Sequence, residues 1–350
     1  MQNSKWVDVA IVGAGLAGIT CGQTLRQSGY TVAILEKSRG LGGRVATRRL
    51  MATCADHGAK FVEPQGEQTQ QLIQQLCDRQ LLQPWTAPIW TVDAAGTLTP
   101  TEPTPRYVAP EGMTAIAKVL AEGLDIRRQQ RVVEIKSIDA QTWEFTTDSG
   151  EALPLQARSL VLAIPAPQAV PLLEPLVAKG LPTAVLETVR KAMFDPCITA
   201  IATYPAEQAA AWHRVGALQP LQHPVLRWVS RESQKRSMPG HEVCVLHSTP
   251  AFATQYIDAP TLETAGRAML QAGAAWFPGM EKPQQLQLHR WRYGFARSPD
   301  PMLEPLPHAK TPIPLVITGD WCRGSNLESA VEAGVRAASL LEQWLNSGHD

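Results

Sequence analysis

"WVDVAIVGAGLAGITCGQTLRQSGYTVAILEK", residues Trp6–Lys37, decides the fold. Val7, Val9, Ile11 and Val12 read as a short apolar strand. A helix follows from about Gly15 to Gln27 and stops at Gly29, and "TVAILE" is a second buried strand. Strand, tight turn, helix and strand within about 30 residues make a βαβ unit. Gly13-x-Gly15-x-x-Gly18 sits where the first strand meets the helix. In such a loop the first glycine permits the turn, the second lets backbone approach a pyrophosphate, and the third lets helix and strand pack closely. The helix N-terminus offers N–H groups and a positive dipole end to phosphate. Glu36 ends the second strand, where a carboxylate accepts hydrogen bonds from a ribose diol and repels a 2′-phosphate. The loop predicts a dinucleotide site without separating NAD from FAD.

Two later stretches separate them. "EKSRGLGGRVATRR" (36–49) follows the ribose acid with Lys37 and then a glycine pair and an arginine. This is the pattern of flavin-binding two-domain oxidoreductases. Backbone at Gly42 and Gly43 can lie along an extended cofactor. Arg44 either neutralises the pyrophosphate or holds the substrate domain. "VITGDWCRGSNLESAVEAG" (316–334) repeats a strand, Gly-Asp and helix start near the other end of the chain. A first loop that serves adenosine diphosphate leaves the flavin half of FAD to be held elsewhere. Gly319 lets backbone approach, Asp320 can hold ribityl hydroxyls, and the helix opening at Asn326 and Leu327 can aim N–H groups at the flavin pyrimidine carbonyl. Its positive end stabilises negative charge on a reduced flavin.

Composition agrees with a soluble globular protein: 350 residues, 44% hydrophobic and 18% charged. Thirty-two basic residues balance thirty-two acidic ones, so no global field attracts nucleic acid or an anionic membrane. Six scattered cysteines form no C-x-x-C pair, which indicates free thiols in a reducing compartment. The first residues lack a signal-peptide pattern and no long apolar run spans a membrane, so a cytoplasmic location is expected. The apolar run "SLVLAIPAPQAVPLL" is broken by three prolines, and residues 99–110 with four prolines read as a linker. Helices are expected at 66–80, near 183–193, at 261–276 and at 326–345. A hairpin should turn at Ala94–Gly96, and short strands at 198–204, 225–231, 242–249 and 285–295. The order predicts an α/β (α+β) chain: a discontinuous Rossmann-like FAD-binding domain (1–62, 108–168 and 310–350) with an inserted antiparallel-sheet substrate domain (63–107 and 169–309).

Five stretches together, "IVGAGLAGI", "KSRGLGGR", "APEGMTAI", "LAIPAPQA" and "VITGDWC", make the chain resemble the renalases, a branch of the amine-oxidase-like FAD superfamily. The stretches run from residue 11 to residue 322. The resemblance implies noncovalent FAD and a p-hydroxybenzoate-hydroxylase-like fold. It also implies oxidation of a dihydronicotinamide, NAD(P)H or an isomer, with dioxygen as acceptor. Gly13, Gly15, Gly18 and Glu36 match the adenosine diphosphate loop, and Arg44 the glycine-pair arginine. Val133 matches the strand residue that meets adenine through backbone, and Asp320 the acid near the ribityl group. His247 in "VLHSTP" and Trp291 in "LHRWRY" match residues near the flavin face. The chain departs from the pattern at "DHGAKFV", where Lys60-Phe61-Val62 replaces Gln-Tyr-Phe. Lys60 there either favours an anionic substrate or is simply exposed.

Hydride transfer to a flavin asks the protein for orientation and exclusion of water more than for acid–base groups. Read as a strand, "QLHRWRYGF" puts His289, Trp291 and Tyr293 on one face, able to stack a flat substrate or to pack a core. Trp228 and Arg227 are weaker candidates, and Arg48 and Arg49 either touch a phosphate or face water. The monoamine oxidases attach flavin through a cysteine upstream of the final Gly-Asp; residues 245–321 contain none. No H-E-x-x-H or G-x-S-x-G motif is present, against a metal site or an α/β-hydrolase. Two alternatives stay open: a flavin amine oxidase or desaturase-like enzyme, and a flavin- or NAD(P)H-binding sensor with little turnover.

Overall fold

The computed structural model describes residues 5–50, 53–139, 141–212, 215–238, 240–297, 302–310 and 313–347. The chain divides into two compact units. The first comprises Met1–Gly43, Ile116–Met193 and Ala296–Asp350, the second Arg44–Ala115 and Phe194–Phe295.

The first unit is built on the βαβ stretch. Strand Lys5–Val12 runs parallel to Val32–Glu36 on one side and to Ala152–Leu162 on the other. Parallel neighbours Asp125–Arg128 and Leu315–Ile317 extend the sheet at either side. Helices cover both faces of such a sheet, so Val9, Ala10, Ile11 and Ile34 are buried without alternation. The eleven-residue strand Ala152–Leu162 carries Lys5–Val12 along one edge and shares its other edge between two neighbours. Its first half pairs antiparallel with Trp143–Thr147 and its last residues pair parallel with Leu315–Ile317. This register returns the C-terminal Gly-Asp segment to the ends of the parallel strands. Helix Leu327–Asn346 then lies on helix Leu16–Gln27. At Gly334 an added Cβ would stand 2.5 Å from the Ala17 carbonyl, so backbones meet there.

Three sequence expectations are corrected. Ala166–Val177 is helical despite Pro171 and Pro175 inside it. Ala169, Leu172, Leu173 and Leu176 form a buried stripe at helical spacing, and that burial offsets the backbone bonds that proline removes. Residues 169–193 therefore belong to the nucleotide unit, as does the segment 296–309, which the expected boundaries also gave to the substrate domain. Residues 44–62 and 108–115 belong to the other, because Thr47–Arg49 and Cys54–Asp56 pair with each other and Ala55 packs on Ile201, Val243 and Val245. Short strand Ala217–Pro220 and helix Pro250–Tyr256 leave no pattern in the sequence; four and seven residues are too few for periodicity to show.

The second unit is a seven-stranded sheet in the order Gln285–Ala296, Phe194–Pro205, His241–Ser248, Leu226–Arg231, Ala217–Pro220, Ile89–Val92, Leu98–Pro100. The expected antiparallel pairing holds at four of its strand pairs, whereas Ala217–Pro220 runs parallel to Ile89–Val92. Helix Glu263–Gly273 packs Ala265, Met269 and Leu270 into a core with Tyr204, Trp212, Leu246 and Phe277.

Candidate dinucleotide cradle and substrate-orienting residues

In the first unit the three glycines do different work. An added Cβ at Gly18 would stand 2.0 Å from the Gly13 carbonyl, so helix and loop touch there. At Gly15 it would meet no protein atom within 4 Å. Gly15 is the N-cap of helix Leu16–Gln27, and no side chain caps that end. A turn with open space above it and a bare helix start is shaped for a phosphate. The Glu36 carboxylate is fixed beside it: Ala14 N–H donates to Oε2 (2.8 Å) and Ser38 N–H to Oε1 (2.7 Å). Each oxygen keeps a lone pair for a ribose hydroxyl.

The glycine pair folds back onto this loop. Gly42 N–H donates to the Ala14 carbonyl (2.8 Å), Gly42 bridges to Gly15, and an added Cβ at Gly43 would lie 3.4 Å from Gly15 Cα. The two glycine motifs thus form one surface. Lys37 is exposed, with Nζ 3.4 Å from Gln168 Oε1. Gln130 N–H donates to the Glu36 carbonyl (2.9 Å), which carries the chain leading to Val133 past the ribose acid. Val133 falls where the register to Trp143–Thr147 shifts, and it is 46% exposed.

At the other end of the chain, Gly319 closes strand Leu315–Ile317 and a short 3-10 turn begins at Asp320. Asp320 is 7% exposed. Its Oδ1 accepts from Trp321 N–H (2.8 Å), and its carbonyl accepts from the N–H groups of Arg323 and Gly324. Asn326 caps the last helix through Oδ1, which accepts from Ser329 N–H (2.7 Å), and Leu327 opens the helix. This turn, its N–H groups engaged within it, is carried on the same sheet as Glu36. Gly13, Gly15, Gly18, Glu36, Gly43, Gly319, Asp320, Asn326 and Leu327 all fall in one unit. Arg44 falls in the second, with its guanidinium 5.9 Å from the Phe194 ring centroid.

In the second unit Trp291 is anchored. Its Nε1 donates to the His57 carbonyl (3.0 Å), its ring stacks on His57 (centroids 5.4 Å, 29°) and His289 meets it edge-on at 4.3 Å. The expected face of His289, Trp291 and Tyr293 is divided: Tyr293 turns to Phe194 (5.7 Å). His57 was not singled out in the sequence, although it stands in the departing "DHGAKFV" stretch. His247 is 3% exposed, cross-strand from Thr199 and Trp228, and neither ring nitrogen has a hydrogen-bond partner. Trp291 and His247 are linked through His57, whose backbone lies beside the His247 ring. The arginine pair separates: Arg49 is exposed, whereas Arg48 is half-buried and its charge reaches both His57 and His289. Lys60 is half-buried rather than exposed, with Nζ 4.0 Å from the Trp228 ring centroid. Among the described residues no cluster of His, Cys, Asp and Glu is placed to hold a metal ion, and no helix is long and apolar enough to cross a membrane.

Burial, reinforced by the Arg48 charge, pushes His57 and His289 down to about 4. Both rings are neutral at pH 7 and present flat, uncharged surfaces. Between their ordinary 6.5 and about 4 the unfolded chain takes up protons that the folded chain refuses. Stability therefore falls as pH drops through that window. Urea midpoints measured from pH 7 to pH 4 should decline, and His289→Phe should flatten the decline.

Fold and cradle together define a flavoprotein of the Rossmann type with a second, sheet-based unit. Residues 95–341 match the flavin containing amine oxidoreductase family, and residues 11–77 match the NAD(P)-binding Rossmann-like domain. The chain belongs to the flavin-containing amine oxidoreductase family, and its cofactor is FAD. A Mycobacterium tuberculosis protein carrying the name flavin-containing monoamine oxidase AofH is 38% identical over 65 residues, 18% of this chain. The match spans only 14% of that protein's length. Cyclohexylamine oxidase from Brevibacterium oxydans IH-35A superposes with a TM-score of 0.73 at 15% identity, covering 97% of this chain and 99% of that one. Putrescine oxidase bound to putrescine gives 0.70 at 16% identity, with the same coverages. A protein of Exiguobacterium sp. 255-15 described as a protoporphyrinogen oxidase gives 0.74 at 15% identity, covering 98% and 99%. At such identities these likenesses establish the fold alone.

Proposed function

We propose that the chain is a flavin-dependent oxidase acting on a dihydronicotinamide, NAD(P)H or an isomer of it, as its resemblance to the renalases implies. Bound FAD supplies a hydride acceptor that dioxygen can reoxidise, giving hydrogen peroxide. Gly13, Gly15, Gly18, Glu36, Lys37, Gly43, Arg44 and Val133 would hold its adenosine diphosphate half. Gly319, Asp320, Asn326 and Leu327 would hold its flavin half. A noncovalent cofactor is supported at Cys322, which burial keeps a protonated thiol.

The observation that carries the substrate reading is the fixed Trp291–His57 stack. A hydrogen bond to backbone holds the indole in one orientation, and a planar surface fixed in advance orients a planar ring. His247, neutral because burial pushes it well down, would orient the ring's polar edge without contributing charge. An amine oxidase is the second reading. Family membership favours it, and two of the superposed structures are amine oxidases by name.

Anaerobic mixing of the holoprotein with α-NADPH, β-NADPH, putrescine and cyclohexylamine separates the two. A dihydronicotinamide should bleach the flavin absorbance and, under air, release peroxide. Bleaching by amines alone rejects the first reading in favour of the second. No bleaching by any compound points to a binding protein with little turnover.

A further inference from the structure

Lys60, Arg227, Trp228 and His247 lie in the second unit and share an imbalance. Lys60 makes no hydrogen bond or ion pair among the described residues, and its ammonium rests only on the Trp228 ring. Arg227 likewise rests on a ring, its guanidinium 4.1 Å from the Phe295 centroid. Trp228 is 1% exposed, and its Nε1 has no acceptor. Buried His247 makes no side-chain hydrogen bond, and only the His57 backbone lies beside its ring. Lysine, arginine and indole N–H can only donate, so what the group lacks is an acceptor.

The sheet assembles this group. The register between Leu226–Arg231 and His241–Ser248 shifts between Leu226 and Trp228, placing an extra residue, Arg227, opposite the Ser248–His247 step. A bulge re-aims side chains that would otherwise alternate. The charges of Lys60 and Arg227 are close enough to repel, and both are felt at His247. Among the described residues no carboxylate pairs with either cation, although the charge of Glu63 is felt at Lys60. Glu63 is engaged by Arg106 (3.3 Å), and Asp56 and Glu232 are shared between Lys235 and Arg236. Two half-buried cations without a counter-ion are costly to hold. The cost is relieved when an anion arrives.

We infer that Lys60 and Arg227, with Trp228 Nε1 and His247 as neutral donors, form an oxyanion-receiving subsite for a phosphate or carboxylate of the oxidised substrate. That the anion belongs to a substrate rests on the flavin-oxidase reading above; the subsite itself does not. It makes the anion a specificity determinant and disfavours a cationic amine at the same place.

The test compares wild type, Lys60→Gln, Arg227→Gln and the conservative Lys60→Arg, each as holoprotein with its flavin content and spectrum recorded to establish folding. Inorganic pyrophosphate should raise the melting temperature of wild type and of Lys60→Arg, and not of the two glutamine variants. In anaerobic titrations the Kd for α-NADPH should rise about tenfold or more in each glutamine variant, the range for a lost charge-assisted hydrogen bond. Unchanged Kd values and no pyrophosphate shift in wild type overturn the subsite while leaving the dihydronicotinamide reading standing. Flavin bleached by L-amino acids, and not by α-NADPH, with the same Lys60 dependence keeps the subsite and rejects that reading. Bleaching by putrescine or cyclohexylamine alone, strengthened in Lys60→Gln, overturns both.

Discussion

Gly18→Ala should come off the purification column colourless, and its apo form should melt well below wild type. The methyl would stand 2.0 Å from the Gly13 carbonyl and 3.1 Å from the Ala163 Cβ. The nearest obstacle is backbone, which no rotamer change relieves. The start of helix Leu16–Gln27 must tilt away, and the loop loses the shape that receives the pyrophosphate. Gly15→Ala separates shape from occupancy. Its methyl meets no protein atom within 4 Å, so the apo protein should melt within a degree or two of wild type. It projects where the loop is open, and FAD affinity should fall roughly 100-fold, near 3 kcal/mol. Flavin content and apo melting temperature, measured side by side, check both. A Gly15→Ala protein that retains full flavin would remove Gly15 from the cofactor's path.

That contrast also shows what the sequence could and could not reveal. Glycine spacing, the acid at Glu36 and the repeated Gly-Asp helix start are local patterns, legible because each is dictated by contact with one extended ligand. The parallel strands were legible because burial on both faces writes them as unbroken apolar runs. Docking of Gly42 on Ala14 was not legible, since two turns far apart in sequence carry no mark of their partner. Helix Ala166–Val177 was hidden by its prolines, whose local cost the buried leucine stripe outweighs. His57 carries no mark in the sequence, because a lone histidine is ordinary until Trp291, more than 230 residues later, stacks on it. Lys60 was legible only as a departure. Its meaning came from the absence of a carboxylate, and absence in space cannot be read along a chain. The depressed titration of Lys60, to about 7 through burial first and Arg227 next, tells the same story. The folded state resists charging it, so Lys60→Met should raise the melting temperature more below pH 7 than above pH 10.

The opposite behaviour is expected at Asp56. Asp56→Ala should be among the most destabilising single changes in the second unit, at about 3–5 kcal/mol, the range for breaking a buried ion pair. Asp56 and Glu232 face Lys235 and Arg236 in a closed group of two acids and two bases. Lys235 Nζ lies 2.8 Å from Glu232 and 3.6 Å from Asp56, and Arg236 reaches both acids. The Lys235 and Asp56 side chains are fully buried. Asp56 also accepts from Thr47 Oγ1 (2.7 Å) and Met113 N–H (2.8 Å), while its own N–H donates to Glu232 (3.1 Å). It therefore ties three separate segments of the unit together. Its removal leaves Lys235 and Arg236 with one carboxylate between them and orphans two donors. The coupling is measurable. Asp56→Ala combined with Arg236→Met removes one charge of each sign, so the double variant should lose clearly less than the sum of the singles in urea unfolding. Additive losses would mean that the four groups act independently. Unlike Lys60 and Arg227, these charges are balanced among themselves, so this group, in contrast to that pair, has no need of an added anion.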